Sequence, residues 1–149
     1  AREVDGPYCE HCPEREADMI KREAAFQTRF GHWLKAKYLP HYAGGAFELK
    51  QTTDALPFSA VKPHQLAALI SVKRGKFYYK IPDDSVGAKP FDCFALSGLD
   101  AFVVVLYQKQ KEFFLIDVDT FIKAKEKSKR KSLPYEQAKT IATVSVGAV

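Results

Sequence analysis

A glutamate and a lysine two residues apart, Glu48 and Lys50, are the side chains of this sequence best suited to chemistry. They follow Gly44-Gly45, which predicts a turn and then a strand. Because successive side chains of a strand alternate between faces, both charged groups are expected to project from one face. The carboxylate could hold a divalent metal, and the ammonium could orient a water or stabilise charge that develops on a phosphate. Such pairs are also common on solvent-facing strands, so the rest of the chain has to decide between these interpretations.

Length, composition and charge fit a globular domain that carries one strongly basic segment. The chain has 149 residues, of which 46% are hydrophobic and 28% charged, with a net charge of +5. Residues 123–131 contain six basic residues and one acidic residue. Such an excess suits a polyanionic partner, chiefly nucleic acid, although a solvated lysine-rich helix end has the same pattern. No apolar run approaches the ~18–20 residues of a membrane span, and we expect neither a membrane association nor a signal peptide.

The cysteines indicate the compartment and leave a zinc site open. Their odd number, with Cys9, Cys12 and Cys93, favours a reducing, cytoplasmic compartment. Cys9-Glu10-His11-Cys12 has the spacing of half a zinc site, but a structural zinc needs four ligands and no second close pair follows. We therefore expect a flexible segment over residues 1–13 and a single domain over residues 14–149.

The elements that must position Glu48 and Lys50 follow from apolar periodicity and from proline and glycine. Residues 14–37 are predicted to form a helix that ends before Pro40, and residues 38–53 a hairpin whose second strand carries the pair. Pro63 opens a second helix. Ala101–Tyr107 is a continuous apolar run, which is typical of a central buried strand. Further strands are predicted over residues 77–82, 89–96, 112–118 and 141–146, and further helices from 121 and over 135–139. This order indicates an α/β (α+β) fold.

Several segments between about Phe26 and the C-terminus match one known family in their order and spacing. They are Phe-Glu-Leu-Lys-Gln-Thr at 47–52, Leu-Pro-Phe at 56–58, His-Gln at 64–65, the strand pair 102–107 and 113–117, and Arg-Lys-Ser-Leu at 130–133. Through them the chain resembles the PD-(D/E)xK nuclease superfamily, and within it phage-like Holliday junction resolvases of the recombination protein U type. The resemblance implies a restriction-endonuclease-like core, a mixed central sheet flanked by helices, here with an inserted strand pair around residues 77–97.

The resemblance also implies a function and roles for particular residues. It implies an endonuclease of DNA recombination and repair that cleaves branched DNA with Mg²⁺ or Mn²⁺, acting as a homodimer in a bacterial or phage-infected cell. Glu48 would bind the metal, and the Leu49 carbonyl would complete its shell. Lys50 would position the attacking water, and Gln65 would support the site from the following helix.

One acidic residue that the family expects is missing from its usual place. The family carries it on the strand before the glutamate, and residues 38–45 contain no Asp or Glu. We hypothesise that Asp92 replaces it as a catalytic and metal-binding residue that is displaced in the sequence, with Asp83 and Asp84 as less favoured candidates. The family often has a glutamate on the first helix. Here Gln27 lies near that position and Glu23 one turn earlier, which makes Glu23 a further candidate metal ligand.

Basic residues in two segments are the candidates for DNA binding. They are Lys73, Arg74, Lys127, Lys129, Arg130 and Lys131. Three alternatives stay open beside the resolvase: a DNA-binding protein on the same scaffold with impaired catalysis, a phage or mobile-element endonuclease without junction specificity, and a zinc module that binds a protein partner.

Overall fold

A computed structural model describes residues 13–83 and 89–147, with side chains from residue 17 onward. The motif at Cys9 to Cys12 and the candidate Asp84 lie outside these residues. The chain divides into two compact units, one that ends at Pro40 and one that spans His41–Val149. The prediction of a single domain over residues 14–149 stays a prediction. None of the helices within the described ranges combines the length and the apolar character that crossing a bilayer requires.

The described part of the first unit is one long helix. Helix α1 spans Pro13–Trp33 and continues as a short π-helix over Leu34–Tyr38. Phe26 and Phe30 are buried, as expected for two members of one apolar stripe. Pro40 follows two residues after the helical backbone ends, and it cannot continue a helix because it has no N–H to donate. The predicted helix over residues 14–37 is confirmed.

The second unit is a mixed α/β fold built on a four-stranded sheet, which confirms the predicted fold class. Its strands within the described residues are β1 Gly45–Thr52, β2 Ala55–Pro57, β3 Phe77–Lys80, β4 Cys93–Leu96, β5 Asp100–Tyr107, β6 Glu112–Asp117, β7 Ser132–Pro134 and β8 Val144–Val146. Its α-helices are α2 Pro63–Arg74, α3 Val118–Lys127 and α4 Tyr135–Ile141. The central sheet has the order β1-β5-β6-β8, and β2–β7 and β3–β4 form separate pairs.

Strand β1, which carries Glu48 and Lys50, pairs with β5 and runs parallel to it. The predicted hairpin over residues 38–53 is therefore wrong. The helical backbone of the first unit extends to Tyr38, so only six residues remain before β1, and one of them is Pro40. That segment is too short to return a paired strand. The apolar run of β5 gains its two neighbours from β1 on one side and β6 on the other.

The hydrophobic core of the second unit lies between the sheet and helices α2 and α3. It includes Val103 and Val105 from β5, Leu69 from α2 and Phe121 from α3. The register places Glu48 opposite Val103 and Lys50 opposite Val105, and paired residues of neighbouring strands share a face. The charged pair therefore lies on the sheet face that α2 covers.

The side chains that alternate with the charged pair lie on the opposite face of the sheet. Phe47 stacks on Phe102 there, with 5.9 Å between the ring centroids. Val104, Phe113 and Leu115 are fully buried on that face too. Both faces of the sheet therefore contain buried apolar side chains, as the continuous apolar run of the central strand predicted.

The connection from α2 to β5 contains the strand pair that the sequence predicted around residues 77–97. Strands β3 and β4 form an antiparallel hairpin. Phe77 lies opposite Leu96 and Tyr79 opposite Phe94, so these four side chains share one face of the hairpin. Tyr78 projects from the other face.

Candidate functional site

The first turn of α2 provides the side chain that holds the glutamate of β1 in place. Pro63 begins the helix, where a missing N–H costs nothing. The Lys62 N–H donates to Gln65 Oε1 at 2.9 Å, and Gln65 Nε2 donates to Glu48 Oε1 at 2.9 Å. The first hydrogen bond determines the orientation of the amide, because an acceptor is needed at Oε1. The amide NH₂ is therefore directed at the carboxylate.

Lys50 completes a three-residue cluster around the same carboxylate oxygen. Its Nζ lies 3.1 Å from Glu48 Oε1, and both side chains are about three-quarters buried, with 23% and 28% of their surface exposed. Among the described residues, no donor contacts Glu48 Oε2. The cluster thus has one oxygen with two donors and one oxygen that remains available to a ligand. The predicted proximity of Glu48, Lys50 and Gln65 is present in the structure.

The cluster borders a cleft of about 340 Å³ between β1, α2 and the β3–β4 hairpin. Glu48, His64 and Gln65 supply the polar part of its wall, and Phe77 and Phe94 belong to the apolar part. The site therefore combines a carboxylate and an amide with an aromatic wall, which is the usual composition of a small-ligand site.

Asp92, the hypothesised replacement for the missing acid, lies just before β4. Its carboxylate is 88% exposed and pairs with Lys89 Nζ at 3.3 Å, and it does not line the cleft. Asp83, a less favoured candidate, also pairs with Lys89. Within residues 13–83 and 89–147, no group of three or more His, Cys, Asp or Glu side chains has the arrangement of a metal site. The hypothesis that Asp92 shares a metal with Glu48 stays a prediction.

The other two predicted metal ligands lie on two different elements. Leu49 is between Glu48 and Lys50 on β1, with its side chain on the opposite face of the sheet. Glu23 is an exposed residue of α1, in the first unit. Their predicted roles are untested and stay predictions.

Lys73 and Arg74, two of the predicted DNA-binding residues, have acidic partners within the protein. Lys73 Nζ lies 2.6 Å from Asp117 and 2.8 Å from Asp119, and Arg74 lies 2.5 Å from Asp119. Hydrogen bonds to Asp117 and then Asp119 raise the pKa of Lys73. Hydrogen bonds from Arg74 and then Lys73 lower the pKa of Asp119. These two bases have their charge balanced locally, so less of it is available to a phosphate.

The other four predicted DNA-binding residues are exposed, and no carboxylate lies within 4.0 Å of them in the part of the chain that the structure describes. They lie at the end of α3 and in the loop before β7, and they are Lys127, Lys129, Arg130 and Lys131. We call residues 127–131 the basic segment.

The basic segment is fixed to the chain that joins β1 to α2. The Phe58 N–H donates to the Lys131 carbonyl at 3.0 Å, and β7 pairs with β2 immediately afterwards. The hydroxyl of buried Tyr107 donates to the Leu133 carbonyl at 2.8 Å. The segment is therefore attached to the same connection that leads from Lys50 to the first turn of α2.

Two contributions to the site were missed in the sequence. His64 lines the cleft, and its position directly before Gln65 in the first helical turn was the signal that could have indicated it. The aromatic wall comes from Phe77 and Phe94. Both lie in the strand pair that was predicted around residues 77–97, but the sequence did not indicate which part of the molecule that pair would cover.

Comparison with known proteins finds no matching family model, no matching curated protein and no matching solved structure.

Proposed function

We propose that this protein is a metal-dependent endonuclease that hydrolyses phosphodiester bonds of DNA. The observation that carries the proposal is the Glu48 carboxylate, which Lys50 and Gln65 hold through one oxygen at the edge of a cleft. A partly exposed site with a carboxylate and a lysine side by side suits phosphodiester hydrolysis. The reaction needs a ligand that binds a metal ion, and it needs a fixed positive charge next to the phosphate. The resemblance to PD-(D/E)xK nucleases supports the same assignment.

The donor set fits a hard cation that is held together with the substrate. Glu48 Oε2 has no donor among the described residues, and Mg²⁺ is commonly bound through one or two carboxylates, waters and substrate phosphates. A single carboxylate does not make a preformed cage. Glu48 would therefore hold Mg²⁺ or Mn²⁺ once a phosphate is present, with Asp92 and the Leu49 carbonyl as further proposed ligands. When bound, the ion would supply Lewis-acid polarisation of the phosphate and a more acidic water.

The side chains of the cluster have distinct proposed tasks. The Lys50 ammonium is a fixed positive charge on the face that meets the scissile phosphate, and it positions a water and stabilises the growing negative charge there. Gln65 keeps Glu48 Oε1 occupied, so that the carboxylate presents Oε2. The amide does this without adding a charge that would compete with the phosphate.

The basic segment is the proposed surface for the DNA backbone. Its four charged side chains are exposed and have no acidic partner among the described residues, so they are free to bind phosphates. The segment is hydrogen-bonded to the connection between β1 and α2, which supports a DNA strand that runs from the basic segment to the cluster of Glu48, Lys50 and Gln65. Branched DNA as the substrate and a homodimer as the active form are proposed from the resemblance.

A second function, DNA binding without cleavage, is favoured by one specific observation. The cleft has one carboxylate, and the grouping of acids that would complete a preformed metal site is absent from the described residues. A protein of this kind would bind DNA with a steep salt dependence, because lysine–phosphate contacts release counterions. It would leave the phosphodiester bonds intact.

A nicking assay with synthetic four-way junctions, linear duplexes and both Mg²⁺ and EDTA arms separates these functions. If the protein is a junction resolvase, we expect Mg²⁺-dependent cuts in the junction and little cutting of the linear duplex. An endonuclease without junction specificity would cut both substrates. Intact DNA in every arm, together with retained binding, would contradict the enzyme proposal and leave the binding protein.

A further inference from the structure

The β3–β4 hairpin presents a continuous set of aromatic rings beside the candidate site. Phe77 and Tyr79 stack with 6.4 Å between centroids and a 5° angle between ring planes, and Tyr79 and Phe94 stack at 5.5 Å. Phe91 lies edge-on to Phe94 at 5.9 Å. We call these four rings the aromatic face.

One end of the aromatic face belongs to the cleft and the other is open to solvent. Phe77 and Phe94 line the cleft that contains Glu48. Tyr79 and Phe91 remain 46% and 51% exposed. Large rings that stay half in water are costly to leave uncovered, and clustered ones mark binding surfaces. The rings therefore form a path that leads from solvent to the carboxylate.

The cleft at the inner end of the aromatic face indicates its occupant. Its Glu48 carboxylate lies 3.1 Å from the Lys50 ammonium, the proposed contact for a phosphate. Two exposed lysines belong to the same hairpin region, Lys76 just before β3 and Lys80 at its end, but alternation along the strand puts Lys80 on the Tyr78 face. A ligand that matches the rings and the phosphate contact at once has flat apolar faces linked to anions. A single-stranded nucleic acid has this composition, because each base can stack and each linkage carries a negative charge.

We propose that the aromatic face stacks unpaired nucleobases of the strand whose phosphate lies at Glu48 and Lys50. This inference rests on the proposed function and narrows its substrate to nucleic acid with unpaired bases next to the cleaved bond. Bases inside a duplex are already stacked on both sides, so their faces cannot reach the rings. Junction centres, flaps and single strands offer such bases.

Binding in EDTA tests the aromatic face without cleavage. A fluorescent single-stranded oligonucleotide of about 12 thymidines is compared, by anisotropy, with an abasic oligomer of equal length and charge. The double variant Tyr79→Ala/Phe91→Ala should bind the thymidine strand at least about 10-fold more weakly. The reason is that the loss of a single base–aromatic stacking contact weakens binding by about 10-fold. Its affinity for the abasic oligomer should stay within about 2-fold of wild type.

Tyr78→Ala is the matched control, since Tyr78 is on the opposite face of the same hairpin and is 66% exposed. It should change neither affinity. The single variant Tyr79→Leu keeps an apolar side chain of similar size and removes the ring. It replaces the double variant in the assay if the circular-dichroism spectrum shows that the double variant is unfolded. It should still weaken thymidine binding measurably.

Three results would overturn the inference. The first is that the ring variants bind the thymidine strand with wild-type affinity. The second is that they lose as much affinity for the abasic oligomer as for the thymidine strand. The third is that the sedimentation coefficient of the ring variants differs from that of wild type while their affinity for the thymidine strand does not. The last result would mean that the rings cover a second copy of the chain. The proposed function fails separately, if the wild-type protein binds the thymidine strand through these rings but cuts nothing when Mg²⁺ is added.

Discussion

The two ends of helix α2 hold charged side chains in opposite ways. At its first turn, Gln65 and Lys50 share one oxygen of a single carboxylate, Glu48. At its last turn, Lys73 forms ion pairs with Asp117 and Asp119, and Arg74 forms one with Asp119. One end therefore leaves a carboxylate oxygen without a donor among the described residues, whereas the other balances two positive charges with two negative ones.

This difference separates a candidate functional site from a set of structural ion pairs. We call the ion pairs of Lys73 and Arg74 with Asp117 and Asp119 the clamp. The ion pairs at the last turn join α2 to the N-terminus of α3 across 44 to 46 residues of sequence, and they stabilise the contact between the two helices. The cluster at the first turn joins α2 to β1 and borders a cleft. Lysine next to aspartate is thus not evidence of chemistry by itself. The spare ligand atom and the adjacent space distinguish the two ends.

The largest expected effect is the loss of cleavage on Lys50→Ala. We expect cleavage of DNA to fall by at least about 100-fold, the usual cost of removing one group that stabilises transition-state charge. Folding and DNA affinity should be nearly unchanged, since a partly exposed ion pair contributes at most about 1 kcal/mol. Single-turnover cleavage, anisotropy and urea denaturation measure these quantities.

Lys73→Ala is the matched control for that variant, because it also removes a lysine that pairs with a carboxylate, at the other end of helix α2. It should lower the free energy of unfolding and leave the cleavage rate of the folded protein within a few-fold of wild type. Equal losses of cleavage in both variants would contradict the distinction between site and clamp.

Replacing three bases of the basic segment should give the next largest effect. In Lys129→Gln/Arg130→Gln/Lys131→Gln, the slope of log affinity against log salt should fall by about 2 to 3, since each phosphate contact contributes roughly 0.9. Titrations with duplex DNA at several salt concentrations measure it. The pair Lys73→Gln/Arg74→Gln should change the slope by less than 1, because those charges are already balanced. A larger change in that pair than in the triple variant would reverse our assignment of the DNA surface.

Asp119→Asn should destabilise the clamp in a pH-dependent way. The folded-state pKa of Asp119 lies below its ordinary value of 3.8, so its contribution is present above that pH and is lost as pH falls through the folded-state pKa. The pKa of Lys73 is raised, so the contribution of Lys73 is lost only as pH rises through a folded-state pKa above 10.5.

Urea denaturation of wild type and Asp119→Asn at a series of pH values measures this effect. The difference in unfolding free energy should be roughly 1 kcal/mol near pH 7 and should shrink below about pH 4. Asp100→Asn, which changes an exposed carboxylate that has no ion pair among the described residues, should show no such trend. A difference for Asp119→Asn that stays constant down to pH 2 would exclude the ion pairs as its cause.

The smallest expected effect concerns the attachment of the basic segment. Tyr107→Phe removes the buried hydrogen bond to the Leu133 carbonyl, and the unpaired carbonyl should cost about 1 kcal/mol of stability. Tyr135→Phe, whose hydroxyl donates to half-buried Glu112 at 3.0 Å, should cost less, because water can replace that partner. Chemical denaturation gives both values, and a larger loss for Tyr135→Phe would contradict the role of Tyr107.

Several features of the fold could be predicted because their causes are local. Alternation along a strand put Glu48 and Lys50 on one face, Pro63 indicated the start of α2, and the apolar run at Ala101–Tyr107 indicated the central strand. The predicted start of α3 at residue 121 was three residues late. The helix begins at Val118, and the side chain of its N-cap, Asp117, accepts from the Asp119 N–H at 3.0 Å.

What the amino-acid sequence determined by itself is therefore the chemistry of the side chains and the direction in which neighbouring ones project, since both depend on a few adjacent residues. The tertiary structure alone decided which strand lies beside β1, which bases find acidic partners, and which rings face the carboxylate. Those outcomes depend on contacts between residues tens of positions apart. The chain closes such contacts only when the whole sheet and its helices pack together, and no short segment encodes them.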